Sequence, residues 1–494
     1  MAGTLFHFWF SVYNNGQEFT RRRERARAAE YEVPMTAPVS LGQEIELAIS
    51  GYGHEGEGVG RCNDFTVFVP GALKGETVAA EIYEVRKNFA RARIIKHLAT
   101  APERVAPICP VYQDCGGCQL QHLNYGAQLE LKRQQVVDAM ERIAGLSGVP
   151  IHPVIGMENP RAYRNKAQYP IGQQGGAAVL GFYQKGSHQI VPFTECLIQH
   201  PANQRLADAL LQLIRKYRLS IYNERTGSGF LRHILIKTGF QSGEVMVVLI
   251  TNGADFPQGV RMAEELRQQF PEVKSVIQNI NRSRGNVILG NESRCLAGAE
   301  AISDVLADLR FKISAQSFFQ VNPVQTEVLY QKAVEYAGLS GAEKVSGSET
   351  VLDAYCGVGS LTLFLARRAK RVYGVEVVAA AIANARENAA LNRIENVEFI
   401  VGETERVLPR LQKEGIQFDV AVVDPPRSGC EESVLRSFAE NNVSRIVYVS
   451  CNPATLARDL KILDGLGYRV EEIQPVDMFP QTHHVECVAN IERK

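Results

Sequence analysis

Val351-Leu352-Asp353-Ala354-Tyr355-Cys356-Gly357-Val358-Gly359-Ser360 is the stretch whose reading decides the fold. An apolar strand at 351–353 runs into a glycine-bearing turn, and Leu361–Arg368 reads as the helix that follows. Glycines in that turn let a ligand approach the backbone at the carboxyl end of the strand. Downstream, apolar strands recur at Val372-Tyr373-Gly374-Val375, Asp419–Val423 and Arg445–Ser450, separated by helical stretches. Alternating βα units predict a parallel, doubly wound, Rossmann-like α/β domain. No internal repeat is visible.

Glu376 ends the second strand, 17 residues after Gly359. An acidic side chain there accepts hydrogen bonds from ribose hydroxyls. A dinucleotide fingerprint asks for a further Gly or Ala three residues after Gly359, where Thr362 stands. A nucleoside without a pyrophosphate has no need of that close phosphate approach, which favours S-adenosylmethionine over NAD. The strand 419–423 ends in Asp424-Pro425-Pro426-Arg427. The prolines forbid helix continuation and hold Asp424 at the carboxyl edge of the sheet. The strand 446–450 ends at Cys451-Asn452-Pro453, at the same edge. A lone strand-end cysteine is more often a buried small hydrophobe; beside a cofactor edge it becomes a candidate nucleophile. Glu486, flanked by Val485 and Cys487, is a candidate base, with His483 and His484 as rivals that spacing alone does not separate.

Upstream, residues 36–96 alternate apolar and polar residues in short runs between glycine-rich turns, the pattern of a five-stranded β-barrel of OB-like type. Its last strand and the preceding turn carry Arg86, Lys87, Asn88, Phe89, Arg91, Arg93 and Lys96. Basic residues interleaved with an aromatic suit a nucleic-acid backbone and a stacked base, or equally a solvated strand edge. Residues 97–315 read as a central α+β domain, with a helix over Leu129–Ile143, helices at Asn203–Lys216 and Val260–Gln269, and strands at Val245–Ile250 and Ser275–Asn279. Residues 316–494 form the Rossmann-like domain, with a polar linker at 341–349 inside it. Cys109, Cys115 and Cys118 stand close together in a loop containing Pro and Gly, and Cys196 is the best fourth ligand. Four thiolates suit zinc or an iron–sulfur cluster alike.

The 494-residue length points to about three domains. Net charge is zero, so any nucleic-acid surface must be a local patch. No long uncharged apolar stretch suggests a membrane span. The run Phe6, Phe8, Trp9, Phe10, Val12 is a poor signal peptide, since no basic segment precedes it. Residues 1–35, with five arginines between Arg21 and Arg27, read as a disordered tail rather than an RNA-binding arm. Ten cysteines without an export signal imply a reducing compartment and a cytoplasmic protein. No obligate protein partner is evident.

Taken together, Ser317-Phe318-Phe319-Gln320-Val321-Asn322-Pro323, Asp353–Ser360, Asp424–Arg427, Ser450–Pro453 with Thr455-Leu456-Ala457-Arg458-Asp459, and Asp477–Glu486 resemble the RNA uracil-5 methyltransferases. The resemblance runs from about residue 36 to the end. It is to the ribosomal-RNA branch, which carries a TRAM barrel and an iron–sulfur cluster. It implies Cys451 as nucleophile and Glu486 as base. It also implies Gln320, Tyr355, Glu376 and Asp424 as S-adenosylmethionine contacts, and Phe318 as a residue positioning a flipped uridine. A 4Fe-4S cluster on Cys109, Cys115, Cys118 and Cys196 follows, with 23S ribosomal RNA as the substrate. The chemistry is coherent with that residue set. Carbon 5 of uracil is a poor nucleophile until a thiolate adds to carbon 6. The carbon 5 proton must later leave so that the thiolate is eliminated.

Other readings share parts of this pattern. A cytosine-5 methyltransferase uses the same cysteine addition in a different motif. A transfer-RNA uracil methyltransferase has the same catalytic domain, and in family terms usually lacks the barrel and the cysteines. A non-catalytic iron–sulfur RNA-binding protein has no need of Cys451 and Glu486. The segment Arg161-Ala162-Tyr163-Arg164-Asn165-Lys166 is a second RNA-contact candidate, with Arg for phosphate and Tyr for stacking.

Overall fold

The computed structural model describes residues 37–342 and 347–494. The tail of residues 1–35, expected to be disordered, lies outside the described residues.

Strands β1 (Glu44–Tyr52), β2 (Gly58–Cys62), β3 (Phe65–Val69), β4 (Thr77–Val85) and β5 (Phe89–Ala99) close into the expected barrel, in the order β1-β2-β3-β5-β4. Alternation drives it: Ile45, Leu47 and Ile49 of β1 point inward and Glu44, Glu46 and Ala48 outward. Gly60 sits where a Cβ would stand 2.5 Å from the Ala48 carbonyl oxygen, so only glycine permits the β1–β2 contact. The basic strand is less open than its sequence suggests. Glu84 pairs with Arg86 at 2.6 Å and Arg91 at 3.6 Å, and Glu81 pairs with Arg93 at 2.7 Å. Phe89 packs edge-on against Phe68 at 5.5 Å. Lys87 and Lys96 remain exposed.

After the cysteine loop, α1 (Tyr125–Ala139) begins four residues earlier than its apolar spacing predicts, because Asn124 caps it by accepting the Ala127 N–H at 2.9 Å. It continues as one π-helical turn, Met140–Ala144.

The central sheet has the order β12-β11-β10-β9-β6-β7-β8. Its strands are β6 (Lys166–Gln174), β7 (Ala177–Tyr183), β8 (Ile190–Pro192), β9 (Leu231–Thr238), β10 (Val245–Thr251), β11 (Val273–Ile280) and β12 (Glu292–Gly298). Helices α2 (Pro201–Lys216) and α3 (Gly259–Gln269) cover one face. The hairpin β13 (Ala301–Leu306) and β14 (Leu309–Ser314) covers the other through Ile302 and Ile313. Burial on both sides explains why β9 and β10 are continuously buried rather than alternating. Lys237 of β9 is buried and donates to the carbonyls of Ser314 at 2.7 Å and Ser317 at 2.8 Å, which ties down the segment leading to Phe318 and Gln320.

The C-terminal sheet comprises β15 (Thr350–Ala354), β16 (Arg371–Glu376), β17 (Val397–Val401), β18 (Val420–Val423), β19 (Arg445–Ser450), β20 (Tyr468–Val476) and β21 (Glu486–Arg493), in the order β17-β16-β15-β18-β19-β21-β20. The first five strands run parallel; β21 is antiparallel to both neighbours. Helices α4 (Pro323–Ala337), α5 (Ser360–Ala366), α6 (Ala379–Leu391), α7 (Thr404–Lys413), α8 (Glu432–Glu440) and α9 (Pro453–Gly465) flank it over two apolar layers. This is the expected doubly wound α/β domain. Strand order reverses at β15, so the crevice outside the carboxyl ends of β15 and β18 is where a ligand binds. By packing, α1 belongs with this sheet although it precedes the central one in the chain. Its Val136, Ala139 and Met140 share a core with Leu456, Leu460 and Ile473. No helix among the described residues is long and apolar enough to cross a membrane.

Candidate active site

The turn after β15 is built on left-handed backbone: φ is +66° at Tyr355, +55° at Gly357 and +80° at Gly359. At Gly359 a Cβ would also meet Phe399 at 3.0 Å and Ala385 at 3.1 Å. Glu376, at the end of the adjacent β16, is buried and reaches back to this turn. Its carboxylate accepts the Gly357 N–H at 3.3 Å and the Val378 N–H at 2.9 Å. Burial pushes its carboxyl upward against those two bonds. Thr362, whose presence argued against a dinucleotide site, has a positive role that its sequence context did not reveal. Its hydroxyl donates to Asp353 at 2.5 Å beneath the turn. Burial, with Asp424 and Glu376 nearby, raises Asp353 to about 7. Glu376 at the end of β16, and Tyr355 and Asp424 directly after β15 and β18, thus lie at one edge of three adjacent parallel strands.

Register brings the two catalytic candidates to that same edge. Ser450 of β19 stands opposite Cys487 of β21, so the next antiparallel step sets Cys451 against Glu486. Cys451 is half-buried and Glu486 is buried. The Cys451 turn is fastened from both sides. The Asn452 side chain accepts the Ala454 N–H at 3.1 Å to cap α9, and it donates to the Arg427 carbonyl at 3.2 Å. Thr455 donates to the same carbonyl at 3.2 Å. Cys451 and Asp424-Pro425-Pro426-Arg427 are therefore locked as one unit.

Charge at this edge is concentrated, with Glu486 buried, Asp424 half-buried and Arg427 exposed. Burial raises Glu486 to about 8, helped by Asp424 and opposed by Arg427. Burial alone raises Asp424 to about 7. Burial also pushes the Cys451 thiol up, with Glu486 and Asp424 adding to it and Arg427 opposing. Arg427, exposed beside the site, is the cation that opposes both shifts, a role not assigned to it from sequence although it lies within Asp-Pro-Pro-Arg. The histidine rivals fare worse as bases. Burial lowers His483 to about 4 and holds His484 well below its ordinary value.

Gln320 is half-buried, and its backbone carbonyl accepts from Asn165 at 2.9 Å. Phe318 is 43% exposed, with the Lys166 ammonium 5.9 Å from its ring centre. One expectation for segment 161–166 is corrected: Tyr163 is no stacking platform. It is 1% exposed and its hydroxyl donates to the Pro480 carbonyl at 2.9 Å.

Cys109, Cys115, Cys118 and Cys196 come together, as their spacing suggested, around one cavity of about 230 Å³ walled by Tyr112, Phe182 and Phe193, with Arg164 and Lys166 at its lining. Burial raises Cys118 to about 12 and Cys196 to about 11, with neighbouring cysteines adding to both. Among the described residues, no three His, Cys, Asp or Glu side chains are arranged to hold a single metal ion.

Two family models match this chain. One, described as tRNA (Uracil-5-)-methyltransferase, covers residues 124–494, and the other, the TRAM domain, covers residues 38–95. The chain belongs to the RNA uracil-5 methyltransferase family. A Bacillus cereus protein described as an uncharacterized RNA methyltransferase is 50% identical over 459 residues, spanning 93% of this chain and 98% of its own length. One from Halalkalibacterium halodurans, similarly described, is 46% identical over 93% of this chain and 99% of its own. The crystal structure of the Pyrococcus abyssi tRNA (uracil-54, C5)-methyltransferase with S-adenosyl-L-homocysteine superposes with a TM-score of 0.71 at 29% identity, covering 90% of this chain and all of that one. The protein is therefore an S-adenosylmethionine-dependent RNA methyltransferase with an N-terminal TRAM barrel.

Proposed function

We propose that this methyltransferase converts a uridine of 23S ribosomal RNA to 5-methyluridine through a covalent adduct on Cys451. The observation that carries the reading is the register of Cys451 against Glu486, at the edge that also holds Asp424. The thiol must first lose its proton to Asp424, whose carboxyl at about 7 is about half ionised at neutral pH, which leaves the Glu486 carboxylate free for the later proton. The thiolate adds to carbon 6, which makes carbon 5 nucleophilic. S-adenosylmethionine supplies the methyl group, leaving as S-adenosylhomocysteine. Glu486 then takes the carbon 5 proton, the 5,6 double bond re-forms, and the sulfur leaves carbon 6. Arg427 balances negative charge beside the uracil ring. Gln320, Tyr355, Glu376 and Asp424 hold the methyl donor, with Glu376 on its ribose, and Phe318 offers an exposed ring to the base turned out of the RNA.

We assign the four cysteines to a 4Fe-4S cluster rather than zinc. A zinc with Zn–S bonds of about 2.3 Å needs its thiolates nearly touching, whereas this set surrounds a cavity of about 230 Å³. Binding would displace the thiol protons of a set in which Cys118 is raised to about 12 and Cys196 to about 11. When bound, the cluster supplies a structural cross-link between the loop 109–118 and Cys196; methyl transfer needs no electron.

A second reading, transfer RNA as substrate, is favoured by the Pyrococcus abyssi match. A superposition over 90% of this chain leaves too little uncovered for the barrel to mark ribosomal RNA alone. The test is to incubate the protein with S-adenosylmethionine and unmodified ribosomal and transfer RNA, then map 5-methyluridine by mass spectrometry. Modification confined to transfer RNA would replace the ribosomal assignment. Methyl transfer by Cys451→Ala would overturn the mechanism.

A further inference from the structure

The base Glu486 follows an irregular loop, Asp477–Val485, that has no strand partner of its own between β20 and β21. Something else must hold it. The cysteine loop and α1 do so. The Gln481 carbonyl accepts two backbone N–H groups, from Gln119 and Leu120, each at 3.0 Å. Gln119 directly follows Cys118. The Gln481 N–H donates to the Gln128 side-chain oxygen at 3.1 Å. The Gln128 amide nitrogen donates to the Gln481 side chain at 3.1 Å, to the Leu120 carbonyl at 3.0 Å and to the Leu123 carbonyl at 2.9 Å. Gln128 is 1% exposed, and its bonds to Leu120 and Leu123 are buried while those to the half-buried Gln481 lie at the edge of the interior. Gln481 is held at φ +69°, a conformation that a non-glycine residue keeps only when its surroundings impose it. Two more anchors flank it: Tyr163 donates to the Pro480 carbonyl at 2.9 Å, and Lys132 to the Phe479 carbonyl at 3.0 Å.

We infer that Gln128 is a positioning residue for Glu486: by clamping Gln481 to the cysteine loop it sets the carboxylate for removal of the carbon 5 proton. This rests on the proposed adduct chemistry. It separates the steps of that chemistry, because addition of Cys451 and methyl transfer precede the step Glu486 performs. Loosening the clamp slows release and leaves formation intact, so the methylated RNA–protein adduct accumulates. A general folding defect does the opposite and lowers adduct formation.

The test uses the full-length protein and methyl-labelled S-adenosylmethionine under single-turnover conditions, with labelled adduct resolved on a denaturing gel. Gln128→Met keeps the size of the side chain and removes all four of its bonds. Its adduct should break down about fivefold or more slowly than in the wild type, with formation changed less than about twofold. Tyr163→Phe removes one anchor and keeps the buried ring, and it should show a smaller shift in the same direction even if Gln128→Met does not fold. The inference is overturned if both variants break down their adduct at the wild-type rate, or if formation slows in step with turnover and no adduct builds up. RNA carrying 5-fluorouridine tests the underlying chemistry separately, since fluorine leaves no proton to remove. If wild-type protein forms no trapped complex, or Cys451→Ala still forms one, the adduct reading itself fails whatever Gln128 does.

Discussion

Glu486→Gln should make the C-terminal domain more stable at pH 9 and leave it unchanged at pH 5. The carboxyl is raised from an ordinary 4.5 to about 8. Between those values the folded state keeps a proton that the unfolded chain releases. The stabilisation linked to that proton is complete below pH 4.5 and lost as pH rises through 8. Above 8 the wild type buries a charge that the amide does not carry. At about 1.4 kcal/mol per tenfold change in acidity, the whole displacement corresponds to ~5 kcal/mol. Part of it is the field of Asp424, itself raised to about 7, so the two displacements overlap. A gain of ~2 kcal/mol for Glu486→Gln at pH 9 is the working figure, or roughly thirtyfold in the opening equilibrium. The measurement must report on this domain itself. Hydrogen exchange of the β19 and β21 amides does, read as the variant-to-wild-type ratio at each pH. Equal ratios at pH 5 and pH 9, or a less protected variant at pH 9, would refute the buried-charge argument.

The same carboxyl dictates how catalysis responds to pH. Release of tritium from RNA labelled at carbon 5 should rise with pH and level off above about 8, because the base must be ionised to take the proton; a rate flat from pH 6 to 9 would exclude Glu486 from that role. Gly359→Ala places a side chain at φ +80° and 3.0 Å from Phe399. At ~1–2 kcal/mol for the backbone alone, titration calorimetry should show S-adenosylmethionine bound about tenfold more weakly or worse. Cys115→Ser should lose bound iron, measured by elemental analysis, together with RNA affinity or folding; a variant free of iron with both intact would show that the cluster shapes nothing.

Much of the site was legible before any coordinates because it is local to strand ends. Asp353–Ser360, Glu376, Asp424 and Cys451 each follow an apolar run, and a parallel sheet puts such ends on one edge by construction. The barrel was legible for a similar reason, since period-two alternation in short runs has few other solutions. What a local pattern does not encode is which charges meet. The basic strand 86–96 reads as a bare cationic track until Glu81 and Glu84, on the adjacent strand, are seen to pair with three of its arginines. Tyr163 reads as an RNA-facing aromatic between two arginines until its hydroxyl is found on Pro480.

The base loop is the extreme case. Gln128 and Gln481 are 353 positions apart, and Gln128 belongs to no recognisable motif, yet they share two hydrogen bonds. Chain order places helix α1 with the central domain; it packs instead on the C-terminal core and, through Leu131, on Leu120 and Leu123 of the cysteine loop, and this double docking brings Gln128 to the base loop. Because Gln119 and Leu120 hold Gln481 directly after Cys118, whatever fixes Cys118 also fixes the approach of Glu486 to Cys451. Under the proposed cluster assignment, ligation of Cys118 would bear on the proton-removal step through loop geometry and not on the earlier methyl transfer.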